Sequence, residues 1–209
     1  MGKAGEQCRG RTYDAELTAV VERAQQGDED AFAAAYRMVH PGLLVYVRGL
    51  VGEDAEDVAS DAWLEIARDL GRFRGDGAGF RGWTAMIARH RALDHLRKQT
   101  RRPRTGLLEQ DVLQLPGGHD TAAAALETLS TEAALAMIRT LPREQAEAVL
   151  LRVVVGLDGP AAARVLGKRS GAVRTSAYRG LKRLAEQLTP GSGPGDVTDD
   201  VRRTLGEEP

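Results

Sequence analysis

The most informative stretch of the sequence is residues 141–188: LPREQAEAVLLRVVVGLDGPAAARVLGKRSGAVRTSAYRGLKRLAEQL. The stretch opens with Leu-Pro, passes through a short helical pattern, turns at residues 167–170 and ends in a basic helix. Two helices joined by such a turn are typical of a helix-turn-helix, whose second helix enters the major groove of DNA. The sequence therefore indicates DNA as a ligand before any other part of the chain is considered.

The second helix of this motif has an apolar side and a polar side. With about 100° between successive residues, one side carries Val173, Ala177, Leu181, Leu184 and Leu188. The opposite side carries Thr175, Ser176, Arg179, Lys182 and Arg183. Residues 168–183 hold six basic side chains and no acidic one. The pattern predicts a helix that packs on one face and meets phosphates with the other.

Local signals mark the ends of both helices. Gly167 accommodates the positive φ of a tight turn, and Ser170 stands at the N-cap of the second helix. Pro160 is tolerated near a helix start, where its missing N–H would be unsatisfied anyway. The small residues 161–163 allow two helices to cross closely. The alternative is a solvated amphipathic helix with a basic outer face, but these signals together favour DNA binding.

The composition predicts an all-α protein. The chain has 209 residues, of which 42% are hydrophobic, 28% charged and only 4% aromatic. This balance fits a globular protein, and Ala, Leu, Arg and Glu dominate over the residues that favour strands. The formal net charge of −1 by itself indicates no nucleic-acid partner.

The distribution of charge is more informative than its sum. Residues 89–104 carry seven basic groups and one acid, whereas residues 53–61 carry five acids and no base. Residues 105–138 carry five acids and neither Lys nor Arg. Such blocks predict several charged partners, each met by a different segment.

The sequence lacks the motifs of several functional classes. The single cysteine, Cys8, excludes an internal disulfide, and no apolar run is long enough for a membrane span. The N-terminus lacks the apolar core of a signal peptide, so we expect a cytoplasmic protein without membrane insertion. HExxH, Walker-type and Cys/His motifs are absent, so we predict no cofactor, no metal site and no enzymatic activity. His90 and His95 are five residues apart and do not share a helix face.

The chain divides into two helical blocks with looser segments around them. In the first block we expect a helix that ends at Gly27, a break at Pro41 and a helix over residues 83–97, in which Asp94 pairs with Arg97. The predicted divisions are a flexible tail at 1–14, a first domain at 15–100, a linker at 101–125, a helix-turn-helix domain at 126–189 and a disordered acidic tail at 190–209.

An Arg/Gly-rich loop at residues 72–82 precedes the helix at 83–97. Phe73, Phe80 and Trp83 flank this loop. Aromatic rings beside cations are how proteins hold unstacked bases and their phosphates. The alternative is that Phe80 and Trp83 are core residues beneath a surface loop.

With these features, the chain resembles the extracytoplasmic-function (ECF) sigma factors, group 4 of the sigma-70 family. DAEDVASDAWLEIAR at 54–68 resembles the acidic helix that docks on RNA polymerase. RFRGDGAGFRGWTAMIARHRALDHLRKQTRR at 72–102 resembles the −10 element loop and helix. LPREQAEAVLLRVVVGL at 141–157, followed by the helix-turn-helix, resembles the family's region that recognises the −35 promoter element.

The resemblance implies partners and site residues. The partners are core RNA polymerase, through its beta and beta-prime subunits, promoter DNA and an anti-sigma factor. Polymerase binding falls on Asp54, Glu56, Asp57 and Asp61. Contacts to −10 DNA fall on Arg72, Arg74, Phe80, Trp83, Arg89, His90, Arg91, Arg97 and Lys98. Contacts to −35 DNA fall on Lys168, Arg169, Ser170, Ala172, Arg174, Thr175, Ser176, Arg179, Lys182 and Arg183.

The sequence departs from the family pattern at several positions. His90 stands where an Asn that helps to hold a flipped −10 base is common, and Ser176 stands where an Arg is frequent. Residues 59–61 are Ala-Ser-Asp instead of the common Val-Gln-Glu, and Ala161 replaces a frequent Glu. A stand-alone helix-turn-helix repressor or activator explains residues 141–188 equally well. It gives no reason for the acidic block at 53–61 or for the Arg/Gly loop.

Overall fold

The computed structural model describes the backbone of residues 2–101 and 122–188, with side chains from residue 12 to 101 and from 130 to 188. Its helices are α1 (Gly2–Gln25), α2 (Glu29–Val51), α3 (Ala55–Asp69), α4 (Gly77–Arg101), α5 (Ala122–Arg139), α6 (Arg143–Val149), α7 (Gly159–Leu166) and α8 (Ser170–Leu188). Short 3-10 turns at Gly52–Asp54 and Leu70–Arg72 flank α3, and a π-helical turn at Leu150–Val154 follows α6. No strand occurs in the described part, so the all-α prediction is confirmed.

The first four helices form an N-terminal half and the last four a C-terminal half. In the N-terminal half, α1 packs on α2 and α4, and α3 packs on α2 and α4. In the C-terminal half, α8 lies across α6 and α7. The halves also contact each other, because α7 packs on α4 and the turn at Leu150–Val154 packs on α2. Their buried apolar side chains form one continuous cluster.

The N-terminus differs from the predicted tail. Helix α1 begins at Gly2, well inside residues 1–14. The Tyr13 hydroxyl donates to the Met38 carbonyl at 2.6 Å, and Asp14 pairs with Arg81 at 2.8 Å. These partners are distant in sequence, which is why the local composition alone indicated a tail.

Pro41 does not break α2, contrary to the prediction. The helix is continuous from Glu29 to Val51 and carries Pro41 inside it. A proline in a helix interior costs about 3 kcal/mol. The buried stripe of α2 offsets this cost, because it continues on both sides of the proline through Ala31, Ala35, Val39, Leu43, Tyr46 and Val47.

Helix α4 starts within the segment predicted as a loop. The Asp76 carboxylate accepts a hydrogen bond from the Gly79 N–H at 2.7 Å, as a helix cap does. A Cβ at Gly77 would lie 2.3 Å from the Asp14 carbonyl oxygen and 2.9 Å from the Leu17 Cβ. Glycine is therefore required where α4 crosses α1. Gly77, one of the glycines that indicated a loop, therefore serves helix packing instead.

A half-buried histidine, His40, links α2 to α3. The Trp63 indole N–H donates to Nδ1 of His40 at 3.1 Å, and the Tyr36 ring stacks on the imidazole with 4.5 Å between ring centroids. Burial lowers the pKa of His40 below its ordinary value of 6.5. The neutral ring accepts the indole hydrogen bond through Nδ1, whereas a protonated ring has no acceptor.

We expect His40 to make the fold sensitive to acid. The unfolded chain protonates this histidine near pH 6.5 and the folded chain only at lower pH, so the stabilising contribution is complete above pH 6.5 and is lost as the pH falls toward the folded pKa. The measurement is urea unfolding of the wild type and His40→Asn between pH 7.5 and 5. Asparagine accepts a hydrogen bond without titrating, so the stability of the wild type should fall more steeply. Parallel pH profiles would contradict this role.

Parts of the predicted organisation lie outside the described residues. These are the C-terminal tail at 190–209 and the linker at 101–125, apart from Arg101 at the end of α4 and residues 122–125 at the start of α5. None of the described helices is both long and apolar enough to cross a lipid bilayer.

Candidate DNA and polymerase interfaces

The helix-turn-helix predicted within residues 141–188 is present as α7 and α8. The Asp158 carboxylate caps α7 by accepting the Ala161 N–H at 2.6 Å, and Pro160 occupies the first turn. Gly167 ends α7 with a φ of 65°, in the left-handed region that favours glycine. Pro160 and Gly167 were predicted from the sequence, whereas the Asp158 cap was not, although the Asp-Gly-Pro sequence signals it.

Helix α8 is held by its apolar stripe. Val173 and Ala177 are completely buried, and Leu181 and Leu184 are half-buried. A Cβ at Gly180 would lie 2.7 Å from a Val149 methyl group, so α8 crosses α6 closely at this point. The stripe ends earlier than predicted, because Leu188 is 69% exposed.

The outer face of α8 projects into solvent. The exposed residues are Lys168, Arg169, Ala172, Arg174, Thr175, Arg179 and Arg183, and the half-buried ones are Ser170, Ser176 and Lys182. Lys168 pairs with Glu144 at 2.5 Å, and Arg183 donates to the Gln145 side chain at 3.1 Å. The Thr175 hydroxyl donates to the Gly171 carbonyl at 3.0 Å. A helix with basic and short polar side chains on its free face has the chemistry for phosphates and base edges.

The aromatic residues predicted to hold a −10 base form part of the core. Phe80 is completely buried, so the prediction that it contacts DNA is wrong for this structure. Trp83 is half-buried and packs on Phe73 and Phe80, with ring centroids 5.2 and 5.8 Å away. Phe80 is therefore a core residue, as the alternative interpretation of the sequence proposed. Trp83 is partly buried and packs against the same core.

All five arginines predicted for −10 DNA have partners within the chain. Arg89 pairs with Glu147, Arg91 with Glu65, Arg97 with Asp94, and Arg72 with Asp69. The Arg74 guanidinium donates to the carbonyls of Gly71 and Phe73. The Asp94–Arg97 pair, at 2.9 Å, confirms the predicted helix pair.

One strip of α4 remains open to solvent. His90, Arg97 and Lys98 are all exposed, and their spacing of seven and eight residues places them on the same side of the helix. Within the described residues, the side chains of His90 and Lys98 have neither an ion pair nor a hydrogen bond. A cationic strip with an imidazole at its N-terminal end is suited to binding a negatively charged nucleic-acid strand.

The acidic residues at the start of α3 divide into two groups. Asp54 accepts hydrogen bonds from Gln99 at 2.7 Å and contacts the His95 ring at 3.0 Å, and Glu56 pairs with Arg48 at 3.1 Å. These two acids join α3 to its neighbours. In the described structure Asp57 and Asp61 are exposed without a basic partner.

An exposed leucine extends this acidic surface. Leu64 is 71% exposed and lies one helical turn beyond Asp61. We call Asp57, Asp61 and Leu64 the α3 docking face. Leu64 was not predicted as a site residue, although its position opposite the apolar face of α3, on the same side as two acids, is visible in the sequence.

Each half of the chain matches a known protein family. Residues 32–102 match the family described as sigma-70 region 2, and residues 131–184 match sigma-70 region 4. The fold resembles that of CnrH, solved in complex with the cytosolic domain of CnrY, with a TM-score of 0.58 at 23% identity. That match covers 85% of this chain and 99% of CnrH.

Curated relatives are ECF RNA polymerase sigma factors. BldN of Streptomyces coelicolor is 35% identical over 83% of this chain and 66% of its own length. ShbA of Streptomyces griseus is 33% identical over 80% of this chain and 93% of its own length, and SigD of Mycobacterium tuberculosis is 30% identical over 82% and 84%. Sigma factors are transcription initiation factors and not enzymes. With both sigma-70 regions present in order, the chain belongs to the ECF sigma factors of the sigma-70 family.

Proposed function

We propose that this sigma factor docks on core RNA polymerase through the α3 docking face and contacts promoter DNA with two separate surfaces. The outer face of α8 enters the major groove at the −35 element. The strip of His90, Arg97 and Lys98 on α4 contacts the −10 region as it opens. The polymerase performs the chemistry. We place this activity in the cytoplasm, where bacterial polymerase and promoters are found.

The main support for this proposal is the outer face of α8. It is exposed and basic, it has no acid between residues 168 and 183, and α6 and α7 hold its other side. Such a helix supplies phosphate contacts around a few base-edge contacts. The match of residues 131–184 to region 4 supports the same assignment.

Dependence on polymerase separates this proposal from a stand-alone repressor or activator, which the comparisons do not favour. The assay is run-off transcription with core enzyme on a promoter library with randomised −35 and −10 sequences. We expect transcripts only when the factor and core enzyme are both present, with selection at both elements. Tight sequence-specific binding to duplex DNA without core enzyme, and no transcripts with it, would favour a repressor. An anti-sigma partner remains a prediction from the resemblance.

The same library tests two basic residues on α8. Arg179 is exposed and has the reach to form a bidentate contact with a guanine edge, worth about 1–3 kcal/mol of discrimination. Lys182 lies farther along the helix and is suited to a phosphate. We expect Arg179→Ala to change the preferred −35 bases, and Lys182→Ala to weaken all promoters alike and lower the salt slope by about one unit. Unchanged base preferences for Arg179→Ala would place Arg179 among the phosphate contacts.

A further inference from the structure

A glutamine of α1 holds the start of the segment that connects α3 to α4, which we call the α3–α4 connection (residues 70–77). The side-chain amide of Gln25 donates to the carbonyl oxygen of Leu70 at 2.9 Å and to that of Phe73 at 2.8 Å. Because both partners are acceptors, the amide presents its NH2 group and uses both of its hydrogens. One side chain of α1 therefore fixes two carbonyls of the connection.

A threonine of α1 holds the other end of the α3–α4 connection. The Thr18 hydroxyl accepts a hydrogen bond from the Gly77 N–H at 2.7 Å and donates to the Asp14 carbonyl at 2.7 Å. Thr18 and Gln25 are seven residues apart, so they lie on the same side of α1, about 10 Å from each other along its axis. Helix α1 therefore holds the connection at its start and at its end.

Between these two attachments, the α3–α4 connection has a buried anchor and an exposed edge. The Phe73 ring is only 8% exposed and lies against Phe80, with 5.3 Å between ring centroids. Arg72, Arg74 and Asp76 are exposed. The connection thus presents two cations and a carboxylate on a backbone whose position is fixed from inside.

Arg72 depends on the glutamine more than its neighbours do. It lies between the two carbonyls that Gln25 holds, and its side chain is 87% exposed. Its contact with Asp69, at 3.3 Å, is an exposed ion pair, which orients a long side chain only weakly. The direction in which Arg72 projects is therefore set mainly by the backbone, and the backbone is held by Gln25.

The two attachments lie outside the part of the chain that matches sigma-70 region 2. That match begins at residue 32, after both Thr18 and Gln25. The connection itself lies inside the match and belongs to the segment that resembles the −10 element loop. Helix α1 therefore supports a −10 segment of the matched part from beyond its boundary.

Holding the connection before DNA arrives has two physical consequences. A loose segment loses conformational entropy when it becomes ordered on a ligand, and a segment that is already ordered avoids this loss. A loose segment also adjusts to several ligands, whereas a fixed one leaves unmatched polar groups against the wrong ligand. A fixed connection is therefore expected to discriminate more strongly between −10 sequences.

We propose that Gln25 is a positioning residue for −10 recognition, which holds the α3–α4 connection, together with Thr18, in the conformation that discriminates between −10 sequences. This inference rests on the proposed function. Gln25 acts through the carbonyls of Leu70 and Phe73 and does not itself contact DNA. Helix α1 thereby becomes a determinant of promoter selectivity.

Gln25→Glu tests the proposal with little change of side-chain size. The variant loses both donors and places a carboxylate against two carbonyl oxygens, so the connection is released. In run-off transcription with core polymerase on the randomised promoter library, we expect the ratio of transcripts from preferred −10 sequences to those with one changed base to fall about tenfold. The corresponding ratio for the −35 element should stay within twofold of the wild type.

The matched control is Gln26→Glu, which introduces the same charge at the next residue. Gln26 is exposed, and we expect this variant to keep both ratios. Unchanged −10 selection by Gln25→Glu would overturn the proposal. An equal loss of selection at the −10 and −35 elements would also overturn it, because that is the result of a general defect of the fold.

A pair of variants at Thr18 tests the second attachment without adding charge. Thr18→Val removes the hydroxyl at nearly constant volume and leaves the Gly77 N–H without its acceptor, whereas Thr18→Ser keeps the hydroxyl. We expect −10 selection to fall in the valine variant and to be retained in the serine variant. The same −10 selection in both variants would overturn the role of this attachment.

Hydrogen exchange of the free, full-length factor provides a readout that does not depend on transcription. We expect the backbone amides of residues 70–77 to exchange about tenfold faster in Gln25→Glu than in the wild type. The rates in α2 and α8 should stay the same. Unchanged exchange in the connection would overturn the proposal, and so would a uniform increase throughout the chain.

Failure of this proposal is distinguishable from failure of the proposed function. If the wild type and core enzyme produce no transcripts from any promoter of the library, the proposed function fails whatever the exchange rates are. If the wild type selects both promoter elements and Gln25→Glu selects the same −10 sequences, only the positioning role of Gln25 fails.

Discussion

Asp57→Lys combined with Asp61→Lys is expected to weaken binding of core RNA polymerase about tenfold to 100-fold while the fold stays intact. Both carboxylates are exposed and lack a basic partner in the described structure, so they are available to cations on another protein. Exposed charge pairs contribute about 0.2–1 kcal/mol each, and reversal replaces attraction with repulsion at two adjacent sites. Fluorescence titration of labelled factor with core enzyme, at two salt concentrations, measures the effect.

The control for this variant is Glu16→Lys with Glu22→Lys on α1. These acids are also exposed, so the double variant changes the net charge equally on a different helix. We expect normal polymerase binding by this control. Equal affinities for the two double variants would remove the docking role from α3. Leu64→Ser should weaken binding further without altering the salt dependence, because it removes apolar contact area rather than charge.

His90→Ala is expected to reduce open-complex formation about fivefold to 100-fold while closed-complex binding changes little. The imidazole is exposed and has no partner in the described part of α4, at the end of a cationic strip. Stacking of an unpaired base on an aromatic side chain contributes about 1–3 kcal/mol. A ring that contacts only the unpaired base contributes nothing while the duplex is still closed. Permanganate reactivity of unpaired thymines measures opening, and gel shift of the holoenzyme at low temperature measures the closed complex.

Two comparison variants make the His90 result specific. His90→Asn restores the residue that is common in the family and should retain opening, although its base preference changes. Lys98→Ala removes a cation from the same strip and should weaken closed and open complexes alike, as a phosphate contact does. Thymine reactivity that is the same in His90→Ala and the wild type would show that His90 does not hold a base.

The sequence alone determined the helix-turn-helix, because its signals act between close neighbours. Pro160 in the first turn and Gly167 at a positive φ act within one helical turn, and the stripe from Val173 to Leu184 repeats along about three turns of a single helix. The all-α class followed from composition in the same way. The exposed acids of α3 and the basic face of α8 were also visible, since blocks of like charge remain on the surface.

Tertiary structure decided the features that depend on residues far apart in the chain. Gly77 lies inside a helix because α1 passes within contact distance, and Pro41 is retained because the buried stripe of α2 continues beyond it. Phe80 is a core residue, and Arg89 is bound by a carboxylate 58 residues away. A sequence pattern reports propensity and spacing. Which surfaces are covered depends on how the halves pack, and packing free energy is large enough to override local signals.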